Sequence, residues 1–423
     1  MIEPNQINKL VEHLFRQDSG KIVSVLTRVF GTDNLDLAED VVQDSLVEAI
    51  SVWQYKGVPE NPSAWLYTVA KNKALNVLNR EKNKFSIDAK KSLQSKLITM
   101  QDTDDLFSEQ EIQDDQLRMI FTCCHPAITP DSQIALALKT LCGFSISEIA
   151  RAYLTTNENI NKRLVRAREK IRDNNIPFEV PAGKVLEKRL QTVLETIYLL
   201  FNEGYSASTG NNIIRYELCE EAIRLTEVIA SHPSIINKAN VYALLSLMIL
   251  NASRFKARQD SEGNLLTMAE QDRTLWNRQM IDTGLIYLHE ATKAENLSIY
   301  FILAAISAQH CIAVDYKSTN WQNILMLYDT LIRIDNSPLI LLNRAVAVSK
   351  VKGAENALAE LDLIKYNAFL KSYYLFYSTQ AEFYIEINRL QEAISSLEKA
   401  IELAPLQIEK KMLQKKLDSI NTK

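Results

Sequence analysis

The segment from Arg151 to Arg172 carries a concentrated set of side chains that bind nucleic acid. Seven basic and two acidic residues give it a local charge of +5, in a protein whose 48 basic and 52 acidic residues sum to −4. Asparagine amides pair with adenine in the major groove, and basic side chains hold phosphates. The candidate contacts are Asn157, Asn159, Asn161, Lys162, Arg163, Arg166 and Arg168. A solvated basic helix packed on its own domain is the alternative interpretation.

The residues around this segment predict a helix-turn-helix. Ser145-Ile146-Ser147-Glu148 has the form of a capping box, which predicts a short helix to about Tyr153. A three-residue turn then precedes a helix predicted over 157–172. Upstream, Thr129-Pro130-Asp131 predicts the start of another helix, which Gly143 ends. A short helix, a tight turn and a longer basic helix are the outline of a helix-turn-helix.

A second candidate for nucleic-acid binding is the helix predicted to begin at Asn61-Pro62, where Asn is the N-cap and Pro the first helical residue. Its exposed faces interleave aromatic and basic residues, a combination that suits unstacked single-stranded bases. The candidate contacts are Trp65, Tyr67, Thr68, Lys71 and Asn72. Core aromatic residues beside an exposed polar face are the alternative interpretation.

An acidic stripe lies on the helix predicted over 36–53. Apolar residues at helical spacing, from Val42 to Trp53, form one face of this helix. The other side carries the stripe itself, which consists of Glu39, Asp40, Gln43 and Asp44. Its functional interpretation is docking onto a basic partner surface. The alternative is an ordinary solvated face.

The rest of the chain divides into a linker and a large helical part. Seven acidic residues and no Lys or Arg between Asp102 and Asp115 predict a flexible acidic linker over 86–115. Beyond about Pro181 the pattern is helical throughout. Small and apolar residues over 374–405, and a copy 36 residues upstream, match the tetratricopeptide (TPR) pattern, so TPR-like repeats are predicted at about 305–405. No period is detectable over 187–290, whose role stays open.

Composition and motifs exclude several classes of protein. With 10 Gly and 10 Pro in 423 residues, the chain is predicted to be all-α. No Gly-rich phosphate loop, nucleophile elbow or paired-carboxylate site stands out, so we expect neither enzymatic activity nor a cofactor. Cys123-Cys124-His125 and Cys142 lack a CxxC pair, which favours buried thiols over a metal site. The odd number of cysteines, and no signal peptide or membrane-spanning pattern, predict a cytoplasmic protein with no membrane partner.

Taken together, these segments resemble a known family. Residues 38–44 (AEDVVQD), Trp53 and residues 59–75 (PENPSAWLYTVAKNKAL) look like region 2 of the extracytoplasmic-function sigma factors of the sigma-70 family. Residues 121–126 (FTCCHP), 141–145 (LCGFS) and 163–167 (RLVRA) look like region 4 of a subgroup with a C-terminal TPR-containing extension. The match continues through 198–206 (YLLFNEGYS) and Asp272-Arg273.

The resemblance implies a domain order and a role for each candidate residue. Region 2 would span 1–85, the linker 86–115, region 4 116–178 and the helical extension 179–423. The acidic stripe would bind the clamp helices of the RNA polymerase β′ subunit, and the β flap would be a further core partner. The aromatic-basic helix would melt and read the −10 element, and the basic helix would read the −35 element. The family commonly has Asp and Arg where Asn76 and Asn79 stand here, so that end of the helix carries less charge.

The predicted function is that of a sigma factor, which binds RNA polymerase core and directs promoter-specific initiation. The extension would regulate it through a protein or peptide partner bound to the TPR-like repeats. Two other classes stay open: a helix-turn-helix activator with a TPR sensor that does not enter the polymerase core, and a TPR adaptor whose basic helix binds no DNA. The sequence names neither the promoter, nor the inducing signal, nor the partner of the extension.

Overall fold

A computed structural model describes residues 4–81, 107–153, 155–205, 215–261, 264–293 and 298–421. Over these residues the chain forms nineteen α-helices and no β-strand, which confirms the all-α prediction. The chain divides into two compact units. The first contains residues 1–200 and 227–234, and the second contains 201–226 and 235–423.

Among the first nine helices of the described residues, five stand where the sequence predicts a helix. The nine are α1 Pro4–Phe30, α2 Leu35–Lys56, α3 Pro62–Glu81, α4 Glu109–Cys123, α5 Pro130–Thr140, α6 Ile146–Ala152, α7 Asn157–Asp173, α8 Gly183–Tyr205 and α9 Tyr216–Ser231. The five that the sequence predicts are α2, α3, α5, α6 and α7.

Helices α1 to α3 pack around a shared apolar core because each is amphipathic. The face of α2 predicted to be apolar is buried, and Trp53 at its end is 1% exposed. Helix α3 begins at Pro62, and the Asn61 side chain accepts a hydrogen bond from the Ala64 backbone N–H at 3.0 Å. The predicted N-cap of α3 is therefore confirmed.

Helix α4 corrects the linker prediction at its C-terminal end. Residues 109–115, predicted as flexible, form the first two turns of α4, and the Ser108 hydroxyl accepts the cap hydrogen bond from the Glu111 N–H. The side chain of Asp115 is fully buried and forms ion pairs with Arg28 at 2.9 Å and Arg118 at 2.5 Å. The run of acidic residues predicts a solvent-exposed Asp115. The side chain can be buried because the two arginines compensate its negative charge. The part of the predicted linker over 82–106 lies outside the described residues.

The local signals around α5 to α7 are confirmed with one exception. Ser145 and Glu148 make the two reciprocal hydrogen bonds of a capping box, at 2.8 and 3.2 Å. Gly143 has a φ of 67°, the left-handed conformation that ends a helix without steric cost. Thr129, predicted as a cap, makes no side-chain cap bond, and its hydroxyl donates to the Ser132 hydroxyl at 3.0 Å.

Helix α1 packs directly against the helices that follow the linker. A Cβ on Gly20 would come within 2.0 Å of the Leu141 carbonyl oxygen, so the two backbones are in close contact there. The Thr32 hydroxyl donates to the Ile176 carbonyl at 3.1 Å, across 144 residues of sequence. Helices α1 to α3 and α4 to α7 thus form one compact body.

The start of α8 belongs to the same body. Its residues Leu190, Val193, Leu194 and Ile197 are each 8% exposed or less. The Thr196 hydroxyl donates to the Gln133 side chain at 2.9 Å. The first turns of the predicted extension, up to residue 200, therefore belong to the first compact unit.

The second compact unit continues with ten further helices. They are α10 Ala239–Ala252, α11 Arg278–Ala291, α12 Ile299–Ile312, α13 Trp321–Leu331, α14 Pro338–Lys352, α15 Ala354–Ile364, α16 Ala368–Lys371, α17 Tyr374–Glu386, α18 Leu390–Leu403 and α19 Gln407–Asn421. The alanines predicted to allow close helix approach, Ala345, Ala357, Ala381 and Ala393, are all 0% exposed. Successive helix pairs therefore stand where the repeats are predicted, and the TPR assignment itself stays a prediction.

Two further features concern the state of the cysteines and whether any helix could span a membrane. All five cysteines are free and buried, as predicted. Burial raises the pKa of the Cys124 thiol to about 12. Among the helices of the described residues, none is both long and apolar enough to cross a membrane.

Candidate functional site

Three of the four residues of the acidic stripe are open to solvent. Asp40, Gln43 and Asp44 are exposed on α2, while Ala38, Val42 and their apolar neighbours are buried behind them. A partner can therefore reach two carboxylates and one amide on this face without any rearrangement. Glu39 differs from them, because its side chain is only 11% exposed.

Glu39 is covered by an arginine of the basic helix. Arg168 Nη2 donates to Glu39 Oε2 at 2.8 Å, and Arg168 Nε lies 2.9 Å from Asp36 Oδ1. Burial raises the pKa of Glu39, and the positive charges of Arg168 and Lys139 oppose that rise. Two residues predicted to bind different partners, Glu39 and Arg168, are thus bound to each other.

The opposite side of α7 is exposed and carries most of the other predicted duplex contacts. Ile160, Leu164, Ala167 and Ile171 face the core. This register leaves the predicted contacts Asn157, Asn159, Asn161, Lys162 and Arg166 exposed. The hydroxyl of Thr156 caps the helix by accepting from the Asn159 N–H. Lys162 pairs with Glu158 at 2.7 Å, an exposed pair worth about 0–1 kcal/mol that a phosphate would readily displace.

A groove of about 460 Å³ runs beside α7, next to the first turn of α5. Its basic lining comes from Arg163, Arg166 and Lys170, and its acidic lining includes Asp131. Arg163 is half-buried and forms an ion pair with Asp131 at 3.4 Å, so its charge is already partly compensated. Glu169 and Asp173 also line the groove, so three acidic side chains balance its three basic ones.

The aromatic-basic helix α3 exposes only part of its predicted contact set. Thr68 and Asn72 are exposed, and Lys71 is half-buried. Trp65 is half-buried with its ring packed edge-on against Trp53, at a centroid distance of 5.3 Å. In this arrangement Trp65 supports the core, which is the alternative that the sequence left open for the aromatic residues.

Tyr67 is engaged on both its ring and its hydroxyl. The ring stacks on Phe107 at 4.9 Å with an interplanar angle of 7°. The hydroxyl donates to Asp18 at 3.0 Å, and burial together with Asp18 raises the pKa of Tyr67. A base could stack on the ring face that Phe107 covers only after Phe107 moved away.

Asp18 is a buried carboxylate that the sequence analysis missed. It is 2% exposed and accepts hydrogen bonds from Lys21, Ser63 and Tyr67 at 2.9, 2.6 and 3.0 Å. These bonds tie α1 to the first turns of α3. A single acid on a long helix offers no local sequence signal, because its partners on α3 stand at least 45 residues away.

His125 and the neighbouring thiols have structural surroundings. His125 Nδ1 accepts a hydrogen bond from the Ala127 N–H at 3.2 Å, and burial lowers its pKa. Over the described part of the chain, no three His, Cys, Asp or Glu side chains are grouped so that they could hold a metal ion.

Comparison with known proteins gives the class of protein. Residues 14–84, which contain most of α1 and all of α2 and α3, match the family model of sigma-70 region 2. Residues 189–292 match a family of unknown function, DUF6596. Sigma-70 factors are non-enzymatic factors of transcription initiation that work with RNA polymerase and promoter DNA. The match over residues 14–84 supports the assignment of this chain as a sigma-70 family factor.

One relative is similar to the chain over most of its length. The chain is 34% identical over 388 residues to an uncharacterized protein, R00370, of Rhizobium meliloti (strain 1021), covering 92% of this chain and 90% of the relative. The relationship therefore extends through both compact units and not only through region 2. No solved structure matches the chain.

Proposed function

We propose that the protein is a sigma factor of the extracytoplasmic-function type that is regulated through its C-terminal extension. Its α2 stripe docks on the β′ clamp helices of polymerase core, α3 melts and reads the −10 element, and α7 reads the −35 element. The observation that carries the proposal is that one compact unit, of which residues 14–84 match sigma-70 region 2, exposes both the acidic face of α2 and the amide-rich basic face of α7.

The proposal assigns α4 to α7 to region 4, with α6 and α7 as the helix-turn-helix. The first turns of α7 carry exposed asparagines, which is where recognition helices contact base edges. Arg166 is exposed on the same helix and suits a neighbouring phosphate.

The free protein holds these two surfaces partly closed. The pairing of Arg168 with Glu39 and Asp36 occupies one residue of the core-binding stripe and one of the duplex-binding set. The stacking of Tyr67 on Phe107 likewise occupies a −10 contact. We infer that binding to core separates α2 from α7 and frees these side chains.

The stripe is tested by reversing its exposed charges. Asp40→Lys with Asp44→Lys should abolish association with core polymerase, because a basic clamp surface would then meet lysines. Both side chains are exposed, so the unfolding midpoint should change little. A double variant that co-purifies with core as well as the parent protein does would refute the assignment.

The sigma role is tested by run-off transcription with purified core and a promoter from the protein's own operon. A sigma factor supports initiation by core alone, whereas an activator needs a second sigma factor. Transcription that appears only when another sigma factor is added would favour the activator alternative instead.

The regulatory role of the extension is supported by exposed apolar side chains at the α15–α16 corner. Leu363 is 81% and Tyr366 75% exposed, and Phe369 is 49% exposed beside them. Exposed apolar clusters of this kind commonly mark a partner site. Leu363→Ser with Tyr366→Ser should therefore uncouple transcription from induction in cells while leaving purified-core transcription intact. Normal induction of this variant would contradict a partner site at the corner.

Truncation after Pro181 measures a different property. It would remove Thr196 and the buried face of α8, so the remaining fragment should lose stability whether or not the extension regulates. Loss of activity in that fragment alone is thus not a test of regulation.

A further inference from the structure

Three arginines of the second compact unit share one aromatic cluster. Arg254 and Arg273 are 7% and 9% exposed, and both guanidinium groups lie over the ring of Trp276, at 5.7 and 4.6 Å from its centroid. Arg258 lies over the ring of Tyr205 at 4.0 Å, and the hydroxyl of that same tyrosine accepts a hydrogen bond from Arg254 at 2.7 Å. Three positive charges are therefore concentrated in a largely buried place.

Two of these arginines bind neutral acceptors. Arg254 donates to the Asn251 side chain at 2.6 Å and to the Met268 sulfur at 3.2 Å, and a thioether is a weak acceptor. Arg258 donates to the Tyr205 carbonyl at 2.5 Å. Within the described residues, neither guanidinium lies in an ion pair with a carboxylate.

The third arginine, Arg273, is held in the same way. It donates to the carbonyls of His310 and Ala313 at 2.5 and 2.7 Å. The charge of Asp315 acts on Arg273, but that carboxylate is exposed and accepts a hydrogen bond from the Ser318 N–H at 2.7 Å. Asp315 therefore compensates for little of the charge of the cluster.

The same cluster contains buried polar atoms with no hydrogen-bond partner. They are Arg254 Nε, Trp276 Nε1 and His310 Nδ1. Burial, together with the charges of Arg254 and Arg273, lowers the pKa of His310 to about 3, so its ring is neutral at physiological pH. Two of the three atoms are N–H donors, and they lie beside the concentrated positive charge.

This arrangement is costly unless an anion completes it. An arginine cannot release its proton, and a buried charge without a counter-charge destabilises the fold by several kcal/mol. Guanidinium groups bind carboxylates and phosphates through paired hydrogen bonds. All three arginines also stand in the long connection between α10 and α11 or at its ends, and connections of this length usually carry function.

We propose that Arg254, Arg258 and Trp276 form a binding site for the phosphate group of a small molecule, with Arg273 adding to the positive field. A phosphate carries about −1.5 to −2 charges at pH 7, which matches several guanidinium groups better than a single carboxylate does. The site lies within the segment matched by the family of unknown function. Its existence is independent of the proposed sigma role; only a regulatory effect of its ligand on transcription would rest on that role.

The test is calorimetric titration of the full-length protein with inorganic phosphate, with AMP and with succinate. We expect saturable binding of phosphate at one site per chain and no saturable binding of succinate. Competition by AMP would assign the site to a phosphate ester, and its absence would assign the site to free phosphate. At about 100 times the dissociation constant, phosphate should raise the unfolding midpoint of this unit by about 5–10 °C.

Three variants make the test specific. Arg258→Gln should weaken phosphate binding by about 10- to 150-fold, the loss expected when a charged hydrogen-bond partner is removed. Lys256→Gln removes a charge from an exposed neighbour on the same segment and should leave binding unchanged. If Arg258→Gln fails to fold, Arg258→Lys takes its place in the test. This variant keeps the charge but not the paired hydrogen bonds of a guanidinium group, so it should also weaken phosphate binding.

Several outcomes would overturn the proposal. They are the absence of saturable phosphate binding by the parent protein, equal losses in Lys256→Gln and Arg258→Gln, and preferential binding of succinate. Because no polymerase is present in these measurements, failure of the sigma role would leave the result on phosphate unaffected.

Discussion

The ion pair between Asp36 and Arg168 offers a direct way to open the contact between α2 and α7. Asp36 is not part of the acidic stripe, and its side chain is 70% exposed, so it can be changed without touching the residues proposed to bind core. We therefore expect Asp36→Lys to weaken the closed arrangement and to increase the affinity for core polymerase.

The size of the effect follows from exposure and distance. The Asp36–Arg168 pair at 2.9 Å is largely open to solvent on the Asp36 side, so losing it costs about 0.2–1 kcal/mol. The new lysine adds a like-charge repulsion of about 1 kcal/mol at a similar separation in a high-dielectric environment. A total of about 1–2 kcal/mol shifts the ratio of closed to open forms about 5- to 30-fold. Glu39 stays paired with Arg168, which keeps the shift from being larger.

The assay is a fluorescence titration of the labelled protein with core polymerase at low salt. If the closed form predominates in the free protein, the apparent dissociation constant should fall by up to the same factor, and the gain should shrink as salt screens the repulsion. Asp33→Lys is the matched control, because it makes the same change of charge at an exposed position three residues away. Equal affinities of Asp36→Lys and the parent protein, or an equal gain in Asp33→Lys, would refute the reasoning.

Three further predictions concern the same unit. Gly20→Ala should place a methyl group against the Leu141 carbonyl, cost about 1–3 kcal/mol and enlarge the particle in small-angle scattering; an unchanged profile and unfolding midpoint would contradict the close packing. Burial raises the pKa of Asp115 from 3.8 to about 6, so the folded state holds this proton more tightly than the unfolded chain does. The free energy of unfolding should therefore fall by about 3 kcal/mol as the pH rises from about 4 to about 6, and in urea titrations Asp115→Asn should lack that slope. Asn161→Ala should relax promoter preference by about 1–3 kcal/mol, whereas Arg166→Ala should weaken all promoters alike and flatten the salt dependence; equal, sequence-independent losses would end this division of roles.

The sequence by itself determined several of the helices and many of their ends. The capping box at Ser145 and Glu148, the Asn61 cap and the glycine at 143 are confirmed, because each depends on hydrogen bonds or backbone angles within a few residues. The buried face of α2 and the buried alanines of the later helix pairs also follow from spacing alone, since an amphipathic helix must bury its apolar side.

Only the tertiary structure decided which charged side chains are free. Glu39 looks like any member of the acidic stripe, and Arg168 covers it from 129 residues away. Asp115 looks like part of a solvated acidic run until Arg28 of α1 pairs with it. The three arginines over Trp276 and Tyr205 come from positions up to 19 residues apart in an irregular connection that has no period to read. Helix formation depends on near neighbours in sequence, whereas the burial and pairing of a charge depend on which distant surface packs against it.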